Sequence, residues 1–391
     1  MRNQLLRSGK GIPAFMLMIF SILIVNAKEA ALVQTREGWG YMNRDSSWLI
    51  SPRFENIELN RTSFEAITPK TSVGNYSEGM VRFYDHGWWG YYNDNGVNTI
   101  APAFDAAKDF SDSLAAVKNM NKWGFINKKG EWVIKPQFAD ADNFREGYAP
   151  VKSDNGWGYI DHSGKWLVEP AFDQAFKFKE HFAAVKVKNA WGYINTHGNY
   201  SIQPIFIAAL GFKNGMARVR LKDGWGFIDT LGRFIVQPNF ISVGFCADGL
   251  VRARENENCV YVNLNGKIVS KERYRFAEDF SDNAARVKPE KQWGFIDTTM
   301  NWIIKPAFDG AGDFVNGIAP VRIDNDWYFI NKKGEHLFNK SIYTEAHNFN
   351  NGLARVEIKG KCGYLKENGE WFISPRFLNC FDFYDISETQ K

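Results

Sequence analysis

The chain has 391 residues, with 48 basic against 44 acidic side chains, a formal charge of +4 and 16% aromatic residues. Three of the cations, Arg2, Arg7 and Lys10, stand at the extreme N-terminus. Without them the chain is close to neutral, so nothing in the bulk charge asks for nucleic acid or an anionic membrane as partner, and no run reads as low-complexity or disordered.

In chain order, residues 1–27 come first and have the form of a secretory signal peptide. The short basic region precedes an apolar run from Ile12 to Val25, and Val25-Asn26-Ala27 supplies small residues for cleavage. Fourteen apolar residues fall short of the roughly 20 that a spanning helix needs. The expectation is a secreted or periplasmic product with no stable membrane span after cleavage.

From there to the C-terminus the chain repeats. Trp89, Trp123, Trp157, Trp191 and Trp225 are each 34 residues apart, and a further step of 34 lands on Cys259 and then on Trp293. Trp39, Trp327 and the Cys362 slot extend the series to ten units over residues 28–391. The interval from Trp39 to Trp89 holds an insertion near 57–72. A constant period of this length makes the repeat, not the domain, the unit of structure.

Each unit predicts three short strands. The first is the small-residue and valine run (Ala149-Pro150-Val151-Lys152), the second Trp157-Gly158-Tyr159-Ile160, and the third Trp166-Leu167-Val168. Asp161-His162-Ser163-Gly164 joins the last two, an Asx-type turn closed by a glycine. Pro170, which cannot donate to a ladder, ends the third strand. The Gly beside each Trp is expected to admit a neighbouring backbone, and the aromatics are expected to form a core shared between units. No stretch keeps an apolar period of 3.6 long enough for a helix.

These positions resemble the WG (KWG) repeat family, whose signature is the tryptophan–glycine pair followed by an aromatic, Ile and Asp or Asn, then Gly and a Pro-x-Phe-Asp segment. Trp157-Gly-Tyr-Ile-Asp161, Gly164 and Pro170-Ala-Phe-Asp173 carry the match, which covers residues 30–380. The resemblance implies a β-rich interaction module without assigned catalysis. Departures stand in the seventh unit (Cys259, Glu272), the ninth (Tyr328 for Gly, Lys340 for Pro) and the tenth.

An all-β tandem array can be an open β-superhelix (a solenoid), one large propeller-like ring, or two smaller rings. Ten units exceed the usual four to eight blades, and no strand is visibly left over to close a ring. The open superhelix is therefore the expected form.

Four cysteines in an exported chain invite disulfides. Cys246 and Cys259 replace two core aromatics together and are expected to pair; Cys362–Cys380 is the second candidate. The six histidines share no offset in the repeat and form no ligand motif, and no nucleophile elbow or phosphate-cradling loop is present, so no metal, cofactor or catalysis is expected. One surface signal recurs. Lys118, Lys152, Lys186, Arg220, Arg254, Lys288 and Arg322 stand five residues before successive Trp slots, a basic stripe able to hold a protein or an acidic glycan, unless local acids such as Asp105, Asp173 and Asp309 neutralise it. A second tryptophan nine residues after the first (Trp48, Trp132, Trp166, Trp302, Trp371) is a sugar-stacking ladder if exposed, and core if buried. The function expected is a noncatalytic scaffold; the alternatives are a carbohydrate-active enzyme and a structural spacer.

Overall fold

The computed structural model describes residues 29–58, 71–338 and 342–385. The expected signal peptide at 1–27 and most of the insertion near 57–72, residues 59–70, lie outside the described residues. Ten small sheets succeed one another along the chain, antiparallel except where Asn56–Glu58 runs parallel to Thr71–Ser77.

The fifth sheet is representative. Gln174–Ala175, Phe182–Val187, Ala190–Asn195 and Tyr200–Phe206 pair in that order. The last three are the expected strands, except that the outermost runs two residues past Pro204 instead of ending at it, because the proline sits in a bulge where its missing N–H costs no ladder bond. The two-residue first strand is additional, and it is too short to show any alternation of its own. Phe182–Val187 and Ala190–Asn195 are buried on both faces, whereas Tyr200–Phe206 buries only Ile202 and Phe206 and forms the solvent edge. The turn is as read from the sequence: Asn195 Oδ1 accepts from the N–H groups of His197 (3.0 Å) and Asn199 (3.1 Å), and Gly198 takes φ +80°.

The extra strand decides the architecture. It follows the solvent-edge strand of one unit yet pairs in the next sheet, so every sheet takes its innermost strand from the tail of the preceding unit. The tail of the tenth unit has only the first sheet left to join. Asn379 and Cys380 pair with Gln34 and Val33, and Tyr384 and Asp385 with Ala30 and Glu29. One core cluster accordingly joins Ala31, Val33 and Met42 to Leu353, Cys362, Tyr364 and Phe377. The molecule is a closed ten-bladed β-propeller, not the open superhelix expected from the sequence.

The core lies between blades. Trp191, Tyr193, Ile202 and Phe206 of blade 5 pack with Ala209, Phe212, Val219 and Ile228 of blade 6, each large side chain contributing about 1.5–3 kcal/mol. The second tryptophan also bridges: Trp132, Trp166 and Trp302 meet Phe104, Phe138 and Tyr274 of the preceding blade edge-on, with centroids 5.8–6.3 Å apart. The tyrosine two residues after the Trp slot adds a polar staple. The hydroxyls of Tyr91, Tyr159, Tyr193, Tyr261 and Tyr364 each donate to a carbonyl beside the next blade's first strand at 2.6–2.7 Å. Tyr193→Phe orphans the Leu210 carbonyl and is expected to lower unfolding free energy by about 1 kcal/mol in denaturant titration; no loss would mean that the staple is redundant.

The glycine of the Trp–Gly pair faces a bulge in the edge strand. Between the pairs Trp191↔Phe206 and Tyr193↔Ile202, two steps on one strand oppose four on the other, and Pro204 sits in the excess. A Cβ on Gly192 would lie 2.6 Å from the Ile202 oxygen and 2.7 Å from the Pro204 nitrogen. Blades 7 and 9 have Val260 and Tyr328 at this glycine, and among the described residues these two have three strands instead of four. Only isolated bridges, Cys259↔Tyr274 and Trp327↔Tyr343 among them, remain where the edge strand would run.

Candidate functional site

The seven basic residues occupy one position in seven consecutive blades, 3 to 9. Each lies near the end of the second strand, with the first tryptophan as its cross-strand partner: Lys118↔Trp123, Lys152↔Trp157, Lys186↔Trp191, Arg220↔Trp225 and Arg322↔Trp327, with Cys259 opposite Arg254. Lys288 stands over Trp293 at 5.8 Å. Their partners on the other side are mostly uncharged, as with Ala106, Gln174, Ala208 and Ser242. Because the array closes, the stripe is an arc on one face of the disc. It stops where blade 10 has Glu357 and blade 2 has Tyr84 at the equivalent place.

Among the described residues, none of the seven enters an ion pair. Lys186 lies 6.0 Å from the Trp191 ring, and Arg254 Nε reaches the Asn256 carbonyl at 3.4 Å. The acids that the sequence offered as neutralising partners are otherwise engaged: Asp105, Asp173 and Asp309 accept from the backbone N–H of Asn121, Lys188 and Asp324. Lys152, Arg220 and Arg254 are exposed, and the other four are half-buried.

A different set of charges, unremarked in the sequence, holds neighbouring blades together. Arg82, Arg252, Arg286 and Arg355, third in their second strands, pair with Asp109, Asp279, Asp313 and Asp382 after the next blade's first strand at 2.7–3.1 Å. Lys108 and Lys177 share Asp142 at 3.0 and 3.6 Å; burial alone would raise that carboxyl, but the two cations hold it below the usual range. On the face opposite the arc, the turns joining first and second strands have positive φ at both residues, as at Glu146 (53°) and Gly147 (86°). There Glu78, Asp112, Glu146, Glu180, Asp248 and Asp282 accept from backbone N–H groups of the next blade's equivalent turn at 2.6–3.0 Å. The signal was present as an acid or Asn opening the turn, followed by Gly in most blades and by Ser113, His181 or Asn283 in the others.

The model of the WG containing repeat matches nine stretches, residues 39–60, 89–123, 123–157, 157–189, 191–224, 225–259, 261–289, 293–327 and 329–362. The chain belongs to the WG-containing repeat family. Solved structures similar to this WG chain include a crystal structure of the eukaryotic initiation factor (12% identity, 90% of this chain and 100% of that one, TM-score 0.47). Others are the dihydro-heme d1 dehydrogenase NirN (11%, 80% and 72%, 0.36) and Hsv2p of Kluyveromyces lactis (12%, 58% and 92%, 0.31). No curated protein matches. The propeller assignment rests on the WG chain's own strand pairing, not on these likenesses.

The WG units place the cysteines differently from the first expectation. Cys246 and Cys259 are free thiols. Cys246 pairs with Val251 while Cys259 lies opposite Arg254, so the whole second strand of blade 7 separates them. Two strand spacings amount to about 9–10 Å, beyond a disulfide's reach. Cys362 and Cys380 are bonded, with Cα atoms 6.1 Å apart, and tie the third strand of blade 10 to the closing strand of blade 1. The second tryptophans are neither a bare ladder nor full core: Trp48 and Trp371 are 39% and 37% exposed and the others half-buried. Among the described residues no cluster of three or more His, Cys, Asp or Glu could hold a metal, and no helix is long and apolar enough to cross a membrane.

Proposed function

We propose that this protein is an exported, noncatalytic WG-repeat propeller that binds an acidic partner, a polyanionic glycan or the acidic face of a protein, along the arc of seven cations. One observation carries the reading: the cations recur at one position of seven consecutive blades and none is neutralised by a carboxylate among the described residues. A curved row of like charge at a repeat spacing suits a polymer with repeating anionic groups, because each contact adds to a single multivalent attachment. Export is supported by the N-terminal apolar segment and by a disulfide, which persists in oxidising compartments.

The test is binding of immobilised anionic polysaccharide by the full chain and by the Lys152→Ala, Lys186→Ala, Arg220→Ala triple variant across a salt series. The variant is expected to bind at least about tenfold more weakly and with a shallower salt dependence, at unchanged melting temperature. Equal binding by both proteins would remove the arc as the contact surface.

A further inference from the structure

In several blades the first tryptophan is covered by a nearby side chain, and the cover comes from one of two places. In blades 2 and 8 it is the arginine third in the second strand: Arg82 lies 5.2 Å over Trp89 and Arg286 5.5 Å over Trp293. In blades 3 and 5 it is the residue directly after the first strand: Lys108 lies 5.6 Å over Trp123, and Phe176 stacks on Trp191 at 4.9 Å and 8°. Blade 9 has neither. Pro320 stands in the arginine position and Gly312 in the other.

A cavity of about 490 Å³ runs along the junction of blades 9 and 10, lined by Trp327, Pro320 and Gly312 together with Arg286, His347, Asn348 and Asp382. That volume is in the range of small-ligand sites. Its charges cancel within the wall. Arg286 pairs with Asp313 at 2.8 Å and Asp382 with Arg355 at 2.8 Å. Asn348 takes the place of the aspartate at other junctions and receives the Asp313 N–H at 3.0 Å. Burial, with Arg355 adding to it, pushes the His347 imidazole below its ordinary range, so it is neutral near pH 7.

An anion entering here meets guanidinium groups already neutralised, and an organic cation meets carboxylates already paired. A neutral, hydroxyl-rich ring finds an indole face and several groups able to exchange hydrogen bonds with it. We propose that the cavity between blades 9 and 10 binds one ring of a neutral saccharide, its apolar face against Trp327 and its hydroxyls on His347, Asn348 and Asp382. This site is separate from the cation arc and stands or falls independently of it.

Calorimetric titration of the full chain with cellobiose, maltotriose and chitobiose, and with argininamide as the cationic probe, tests the assignment. One of the sugars is expected to bind with a micromolar to millimolar Kd. Pro320→Arg, which supplies the guanidinium that covers the tryptophan of blades 2 and 8, is expected to weaken binding at least about tenfold without lowering the melting temperature, and Trp327→Ala to weaken it similarly. Should Trp327→Ala not fold, Pro320→Arg alone decides. The Lys152, Lys186, Arg220 triple variant is expected to bind the sugar as wild type does. No heat from any of the three sugars at about 10 mM, undiminished binding by Pro320→Arg, or argininamide bound in their stead would each overturn the proposal.

Discussion

Gly192→Ala is expected to destabilise the protein by about 3 kcal/mol, the upper end of what one added methyl costs a packed interior, and to loosen the edge strand of blade 5. The new Cβ would stand 2.6 Å from the Ile202 oxygen, 2.7 Å from the Pro204 nitrogen and 2.8 Å from the Gln203 carbonyl carbon. All three are backbone atoms, so no side chain can swing aside, and relief requires Tyr200–Phe206 to move as a whole. Blades 7 and 9 are the natural counterpart, since each has a larger residue at this glycine and, among the described residues, shows no fourth strand. Hydrogen exchange should show protection lost across residues 200–206 before the rest of the blade. Gly211→Ala is the control: its Cβ meets nothing nearer than the Lys179 Cδ at 3.5 Å, and a change within about 0.5 kcal/mol is expected. Equal melting curves for the two variants would mean that the close approach of the edge strand is not what requires a glycine after the tryptophan.

Removal of residues 379–391 is expected to be more damaging than any single substitution. Blade 1 would lose the strand beside Glu29–Thr35, the buried side chains of Cys380 (3% exposed) and Phe383 (1%), and the Arg355–Asp382 ion pair. The Tyr364 hydroxyl would lose the Phe381 carbonyl it reaches at 2.6 Å. Broad, non-cooperative thermal unfolding is the expected result, with the exposed edges of blades 1 and 10 prone to association. The paired change Cys362→Ser, Cys380→Ser separates the covalent from the noncovalent part of closure. The bond spans 18 residues, and a loop of that size contributes about 3 kcal/mol by constraint of the unfolded chain. The serine variant should therefore stay folded and cooperative with a lower melting temperature. A truncated chain that melts like wild type would mean that the C-terminal strand does not close the ring.

Much of this molecule was legible in its residues, for a physical reason. Aromatic spacing and Asx turns act locally, so the tryptophan slots and the Asn195–Gly198 turn could be read from one unit and checked against nine others; the proline did not end the edge strand, which runs two residues beyond it because a bulge takes Pro204 out of the ladder. Closure could not. The strand that achieves it is two residues long, and Ala106–Ala107 or Asn379–Cys380 look like the end of a loop; only pairing shows that they belong to the following blade. The expected bridge between Cys246 and Cys259 fails for the same reason, because nearness in the repeat is not nearness in space when an intervening strand keeps the two thiols apart. The basic residues were found by their period, and the sequence left open whether nearby acids would neutralise them. That depended on Asp105, Asp173 and Asp309 turning to backbone N–H groups, a choice no spacing reveals. The cavity of blade 9 was hidden for the opposite reason: Pro320 matters for the guanidinium that other blades carry in its place.

The pairing of Val33 with Cys380 and Gln34 with Asn379 also sets an order of events. Synthesis delivers Glu29–Thr35 well before its neighbour in the finished sheet, since Gln34 and its partner Asn379 are 345 residues apart. Until that neighbour emerges the nascent chain carries an incomplete first blade, open to pairing with any passing strand. Blades 2 to 9 can assemble as they emerge, because each needs only its predecessor's tail. Blade 1 must wait for a contact of the longest range the chain contains, and its docking is the step at which a newly made molecule either becomes a disc or finds another copy of itself.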